Sequence, residues 1–207
     1  MDDKPRIYLA GPDVFLPKAD AITDAKRRIC AEHGLLGMHP LDNDVDIAGL
    51  APRAAGIRIA SANEELMSSC DAIIANLTPW HGPSADAGTV YELGFMRALG
   101  RPCFAYSNDP RSFTQRVEEW TLERDHGPVR IDGHGVKRNA RGHKIETFQF
   151  NDNAMLDGGV RLSGGTFFLG ALPEWSDDYH TDLTAFTQAV AAAACALMVT
   201  QKEPALA

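Results

Sequence analysis

Along the first half of the chain, apolar residues fall in short runs, each followed by a stretch where they recur at helical spacing. Arg6 to Ala10 is a run of the strand type, closed by Gly11-Pro12. Lys18 to His33 sets Ile22, Ala25, Ile29 and Cys30 on one side of a helix, with Gly34 as its expected end. Leu35 to Met38 predicts a second strand, followed by an acidic loop over Asp42 to Asp46. Helical periodicity returns over Arg53 to Ser69 through Ile57, Ile59, Ala60 and Leu66, and Asp71 leads into the apolar strand Ala72 to Asn76. A turn-rich connection, Leu77 to Ala85, opens a third helix over Asp86 to Leu99, closed by Gly100. Pro102 to Tyr106 is the fourth strand.

Strand and helix alternate three times, which is the pattern of a parallel sheet covered on both faces. Short apolar strands fit, because neither face meets water. The expected fold class is α/β: a flavodoxin-like doubly wound parallel sheet of about five strands, order 2-1-3-4-5, flanked by helices. After Tyr106 the pattern breaks. Ser107 to Phe150 is dense in charge, His and Gly, with a helix expected over Ser112 to Arg124 and weak patterning over Asp125 to Lys144. A short helix at Asn151 to Val160, a last strand at Phe167 to Leu169 and an alanine-rich helix at Thr181 to Met198 complete the reading. Residues 1–207 are expected to form one domain with a charged insertion or lid at about 107–150, since so long a loop in a compact domain usually has a function or moves.

Composition narrows the partners. With 207 residues the chain can bury a substantial core, and its net charge of -8 argues against gripping a nucleic acid polymer or an anionic membrane. A small molecule or a protein is the expected partner. Met1 to Arg6 lacks the pattern of a secretory leader and Ala189 to Val199 is too short to span a bilayer, so a cytoplasmic protein is expected. Cys30, Cys70, Cys103 and Cys195 form no CxxC pair and read as small apolar core residues. His126, His134, His143 and His180 lack paired ligand spacing, and neither a phosphate-binding loop of the Walker type nor GxGxxG occurs at a strand-to-helix turn. No metal or organic cofactor is expected.

In such a sheet, ligands bind at the carboxyl ends of the strands where chain order reverses, between the first and third strands. The loop after the first strand carries Gly11, Pro12, Asp13 and Phe15, with Tyr8 at its edge; the loop after the third feeds into Asp86 and Glu92. Topology therefore gathers Tyr8, Phe15, Asp86 and Glu92 around one crevice. Asp86 sits where an N-cap belongs, with Thr89 three residues on, and capping alone would account for it. Glu92 is harder to explain structurally. It lies among Val90, Tyr91, Leu93, Phe95 and Met96, and a buried carboxylate is costly without a partner. Either an arginine such as Arg58 or Arg97 pairs with it, or it is a nucleophile or acid/base group.

These residues resemble the nucleoside 2-deoxyribosyltransferases. The resemblance rests on Ile7-Tyr8-Leu9-Ala10-Gly11-Pro12 with Phe15, on Cys70-Asp71-Ala72-Ile73-Ile74-Ala75-Asn76-Leu77, on Asp86-x-Gly88-x-x-x-Glu92-x-Gly94, and on Asn153-Ala154-Met155-Leu156. It implies that Glu92 is a nucleophile attacking C1′ of a 2′-deoxynucleoside, held in place by the Tyr8 hydroxyl. Asp86 would bind the sugar 5′-hydroxyl, Phe15 would lie against the base, and the Gly11 loop would border the substrate. Asn153 and Met155 match residues that reach the sugar from a neighbouring subunit, which implies a homo-oligomer with shared active sites. Asn63, eight residues before Asp71, stands where some members have an aspartate that contacts the base and helps protonate the leaving group. An amide is no proton reservoir. The substrates implied are 2′-deoxynucleosides and free nucleobases, in nucleoside salvage.

Two other readings compete. A related deoxynucleoside 5′-monophosphate N-glycosidase uses the same fold and glutamate but gives the glycosyl group to water. There a phosphate-binding serine stands in place of Asp86, and Gly11 to Pro17 here holds no basic residue to meet a phosphate. A noncatalytic nucleotide-binding module of the same architecture would leave Glu92 without a task.

Overall fold

A computed structural model describes residues 4–202 apart from 44, 126 and 175. Five parallel strands form the main sheet: β1 (Arg6–Ala10), β2 (Leu36–Met38), β3 (Ala72–Asn76), β4 (Cys103–Ser107) and β7 (Phe167–Leu169), in the order β2-β1-β3-β4-β7. Counting only these strands, the order is the expected 2-1-3-4-5. The helices are α1 (Ala19–Glu32), α2 (Pro52–Ser68), α3 (Ala87–Ala98), α4 (Phe113–Asp125), α5 (Ala154–Leu162) and α6 (Thr184–Lys202). Gly34 ends α1 at φ 77°, a left-handed value that glycine adopts at no steric cost.

Strand alternation divides the core. Ile7, Leu9, Ile74, Phe104 and Tyr106 pack with Cys30 of α1 and Phe186, Ala189 and Val190 of α6. Tyr8, Ala10, Ile73, Ala75 and Ala105 face the other way, onto Leu93 and Met96 of α3 and Leu156 and Val160 of α5. Because side chains alternate at period two, Tyr8 is committed to the α3 side as soon as Leu9 is committed to α1 and α6.

Three expectations are corrected. The weakly patterned stretch after α4 contains a small antiparallel hairpin, β5 (Arg130–Ile131) paired with β6 (Lys137–Arg138). It is held by polar contacts, Lys137 to Glu118 at 2.5 Å and Arg138 to Asp132 at 2.6 Å, so no apolar alternation announces it. Cys30, Cys70 and Cys103 are buried, but Cys195 is exposed on the outer side of α6. On α2 the periodicity carries a helix whose apolar side is uncovered in the single chain: Ile57 is 64% and Ile59 41% exposed.

Candidate active site

The strand-end crevice holds Glu92 against Tyr8. The phenol donates a hydrogen bond to Glu92 Oε1 at 2.6 Å, from a side chain with no exposed surface. Thr89, Leu93 and Met96 are the buried residues of α3, and Leu93 and Met96 pack on the sheet face that Tyr8 occupies; Glu92, one residue before Leu93 and four before Met96, is thereby brought to the phenol. Burial pushes the Glu92 carboxyl up to about 7; the Tyr8 hydrogen bond opposes this and the nearby Asp86 charge adds to it. The Tyr8 hydroxyl is driven well above its ordinary value, first by burial and then by the Glu92 charge, so it stays a neutral donor. Neither Arg58 nor Arg97 pairs with Glu92. Its hydrogen-bond partner among the described residues is a neutral phenol.

Asp86 is the N-cap of α3. Its Oδ2 accepts from Thr89 N at 2.9 Å and from Thr89 Oγ1 at 3.1 Å. The capping role inferred from sequence is therefore real, and it uses one of the two oxygens. The other, Oδ1, accepts no hydrogen bond from the described residues.

Gly11 joins β1 to a short 3-10 turn over Pro12–Phe15. A Cβ there would lie 2.5 Å from Asp13 Oδ2 and 2.8 Å from Asn76 Cβ, so the close approach of the β1 and β3 loops requires glycine. Asp13 is buried, ion-paired with Lys26 of α1, and accepts from Asn76 Nδ2 at 3.2 Å. The Lys26 ammonium lies 5.5 Å from the Tyr106 ring centre and 5.2 Å from that of Phe186. Neighbouring His39 is pushed down to about 4, by burial first and then by the Lys26 charge.

Phe15 is 65% exposed and stacks on Trp80, ring centres 6.1 Å apart and planes 25° from parallel. Trp80 also meets His180 edge-on at 5.1 Å. Sequence reasoning named Phe15 and missed Trp80, whose turn of proline and glycine gives no periodicity to mark a side chain as facing inward. Beyond His180, a cavity of about 690 Å³ separates the 79–83 turn from α4 and the 174–180 loop; it does not include Glu92 or Asp86.

Asn63 lies on α2, where its Oδ1 accepts from Asn43 Nδ2 at 2.9 Å. Adjacent Glu64 accepts from the Tyr91 hydroxyl of α3. Asn153 caps α5, its Oδ1 accepting from Met155 N at 3.0 Å while its amide donates to Glu146 Oε2 at 3.0 Å; Met155 is 81% exposed. No hydrogen bond joins Asn153 or Met155 to Glu92 among the described residues. No three His, Cys, Asp or Glu side chains among the described residues are placed to share a metal, and His126 lies outside those residues. No described helix is long and apolar enough to cross a membrane.

A family model described as nucleoside 2-deoxyribosyltransferase matches residues 7–155, a span that begins one residue before Tyr8 and ends on Met155. An uncharacterised protein of Schizosaccharomyces pombe is 32% identical over 167 residues, covering 78% of this chain and 79% of its own. Among solved structures, the 2-desoxiribosyltransferase from Leishmania mexicana aligns with a TM-score of 0.56 and 26% identity, over 90% of this chain and 97% of that one. A conserved protein from Enterococcus faecalis V583 aligns with a TM-score of 0.50 at 19% identity over 90% of this chain and 97% of its own, a likeness of fold.

Proposed function

Since the chain belongs to the nucleoside 2-deoxyribosyltransferase family, we propose that it moves the 2-deoxyribosyl group of a 2′-deoxynucleoside from one nucleobase to another through an ester on Glu92. The observation that carries this reading is the Tyr8–Glu92 pair: a carboxyl group pushed up to about 7, held at 2.6 Å by a neutral phenol and facing the strand-end crevice.

An ionised Glu92 oxygen attacks C1′ as the N-glycosidic bond breaks. The bonding pair leaves with the base, which takes up a proton, and the sugar stays on Glu92 with inverted configuration. A ring nitrogen of the second base then attacks C1′ and gives up its proton, the ester C–O bond breaks, and the carboxylate is regenerated. A second inversion restores the β configuration. The transition states are oxocarbenium-like, so a carboxylate poised against C1′ stabilises them electrostatically. The Tyr8 hydrogen bond fixes the attacking carboxylate and, by lowering its pKa, keeps part of it ionised at neutral pH.

The other residues follow the length of the substrate. Asp86, its remaining oxygen turned away from the cap, receives the 5′-hydroxyl. Phe15, backed by Trp80, stacks on the base, and Asn63 reads a base edge. Gly11 lets the β1 loop close on the β3 loop beneath the substrate. Asn153 and Met155 serve the sugar end of a neighbouring subunit, and the exposure of Met155 and of Ile57 and Ile59 on α2 supports an oligomer. The 107–150 segment borders the crevice as an insertion, and the chemistry belongs to nucleoside salvage in the cytoplasm.

Incubation with deoxyinosine and adenine, resolved by chromatography, should yield deoxyadenosine and hypoxanthine. Free base and deoxyribose without new nucleoside would instead make the protein an N-glycosidase.

A further inference from the structure

Three loops meet behind the start of α3, and two buried side chains tie them together. Arg116 of α4 is 3% exposed, and Asp152, just before α5, has no exposed surface. The guanidinium donates to three backbone carbonyls: Pro83 at 2.8 Å, Arg111 at 2.7 Å and Asn151 at 2.6 Å. Its Nη2 also reaches Asp152 Oδ2 at 3.4 Å. Asp152 in turn accepts from Ser84 Oγ at 2.6 Å and Ala85 N at 3.2 Å, and from Asn153 N at 2.7 Å. Pro83, Ser84 and Ala85 are the three residues immediately before Asp86. The backbone that sets where the α3 cap begins is thus fastened by one cation and one anion, both desolvated and both satisfied.

We infer that Arg116 and Asp152 are positioning residues for the substrate's 5′ end, acting through Pro83, Ser84 and Ala85 to set the Asp86 carboxylate. The inference rests on the proposed role of Asp86. Burying an ion pair is no efficient route to stability, since well-packed apolar groups of similar volume often do as well or better. What the pair supplies here is direction: its hydrogen bonds to Pro83 O, from Ser84 Oγ and from Ala85 N fix atoms one to three residues from Asp86. A binding carboxylate must lie within about 0.5 Å of its productive place, and a free turn containing Gly82 and Pro83 would not hold it so closely. The same anion fixes the first N–H of Asn153, so the clasp also sets where α5 begins.

The test compares two donors that differ by one oxygen, 2′-deoxyadenosine and 2′,5′-dideoxyadenosine, with hypoxanthine as acceptor. Wild type should prefer the 5′-hydroxyl by roughly tenfold or more in kcat/KM, as a hydrogen bond to a charged group implies. Asp152→Asn should erase most of that preference, while kcat/KM for the 5′-deoxy donor changes by less than about twofold. Ser84→Ala keeps the ion pair and removes one bond to it; it should narrow the preference by about threefold and keeps the inference testable if Asp152→Asn does not fold. Equal losses on both donors would mean that the clasp merely supports the fold, and would overturn the inference alone. A wild-type enzyme that treats both donors alike would remove Asp86 from the 5′ end and overturn the inference together with the reading beneath it.

Discussion

Glu92 and Asp13 are both carboxylates held near the carboxyl ends of β1 and β3, on opposite faces of the sheet, and they are partnered in opposite ways. Asp13 faces the α1 and α6 side and is ion-paired with Lys26. Glu92 faces the α3 side and has, among the described residues, the Tyr8 phenol as its hydrogen-bond partner. The contrast extends beyond the pair, because Asp109, Asp152 and Asp157 are also buried and meet Arg111, Arg116 and Arg161. At Asp109, burial pushes the carboxyl up, but hydrogen bonds from Arg111 and Tyr179 prevail and hold it below its usual range. An acid with a cation has its charge at least partly compensated, although at Asp152 burial outweighs its hydrogen bonds and the Arg116 charge and holds the carboxyl above its usual range. An acid with a phenol is restrained in position while its charge stays costly, the condition of a group that gains by forming a covalent bond to an electrophilic carbon.

Removing each acid's chemistry should therefore give opposite results. Glu92→Gln keeps the shape of the pair and should lower deoxyribosyl transfer by roughly a thousandfold or more, the scale on which disabling a catalytic unit acts. A variant with near-normal transfer would mean that another group carries the nucleophilic step. On the other face, Lys26→Met leaves Asp13 buried and unpaired and should cost about 3–5 kcal/mol of unfolding free energy, read from denaturant titration. Most of that loss should return in Lys26→Met/Asp13→Asn. If Lys26→Met costs nothing, Asp13 is not held by its cation and the contrast with Glu92 fails.

The stability of Glu92→Gln gives a third measurement with a definite sign. Folding raises the Glu92 carboxyl from 4.5 to about 7, so between those pH values the folded chain binds more protons than the unfolded chain. Stability from this group is full below pH 4.5 and falls as pH rises to about 7; above that, the ionised acid is a fixed burden. Glu92→Gln should consequently be more stable than wild type by about 3 kcal/mol at pH 8, with the difference shrinking towards zero near pH 4. A Gln variant that is less stable at pH 8 would show that Glu92 is compensated after all.

Much of this contrast is legible in the order of residues along the chain, and the part that is not has a common physical cause. Apolar runs mark the strands, glycines at 34 and 100 mark helix ends, and alternation from Tyr8 with sheet order is enough to bring Tyr8, Asp86 and Glu92 to one crevice. The role of Lys26 is not legible, because a lysine between apolar helix positions looks like a solvated residue whose stem lies along the surface. Nothing in the sequence joins Arg116 to Asp152 or Phe15 to Trp80, since such contacts form across 36 and 65 positions without a period. Periodicity also says that α2 has an apolar side without saying what covers it. Local patterns report what a segment buries; they do not report which polar group it meets.

The smallest expected effect separates holding an acid from tuning it. Tyr8→Phe removes the hydrogen bond that lowers the Glu92 pKa and leaves the burial that raises it, so the carboxyl should rise further above about 7. Less of it is then ionised at neutral pH, and the acidic limb of kcat/KM against pH should move upward. A shift of about half a unit to one unit is the scale of one hydrogen bond worth roughly 1 kcal/mol. Transfer by the variant should accordingly recover in part as pH rises towards 9, whereas a loss that came only from misplaced geometry would be the same at every pH. Wild type should show no descending limb from Tyr8 in this range, because burial and the Glu92 charge keep the phenol protonated. A limb that stays fixed in Tyr8→Phe, or moves down, would mean that Tyr8 holds Glu92 in place without setting its charge. The difference between the two faces of the sheet would then lie in the cation on one side alone.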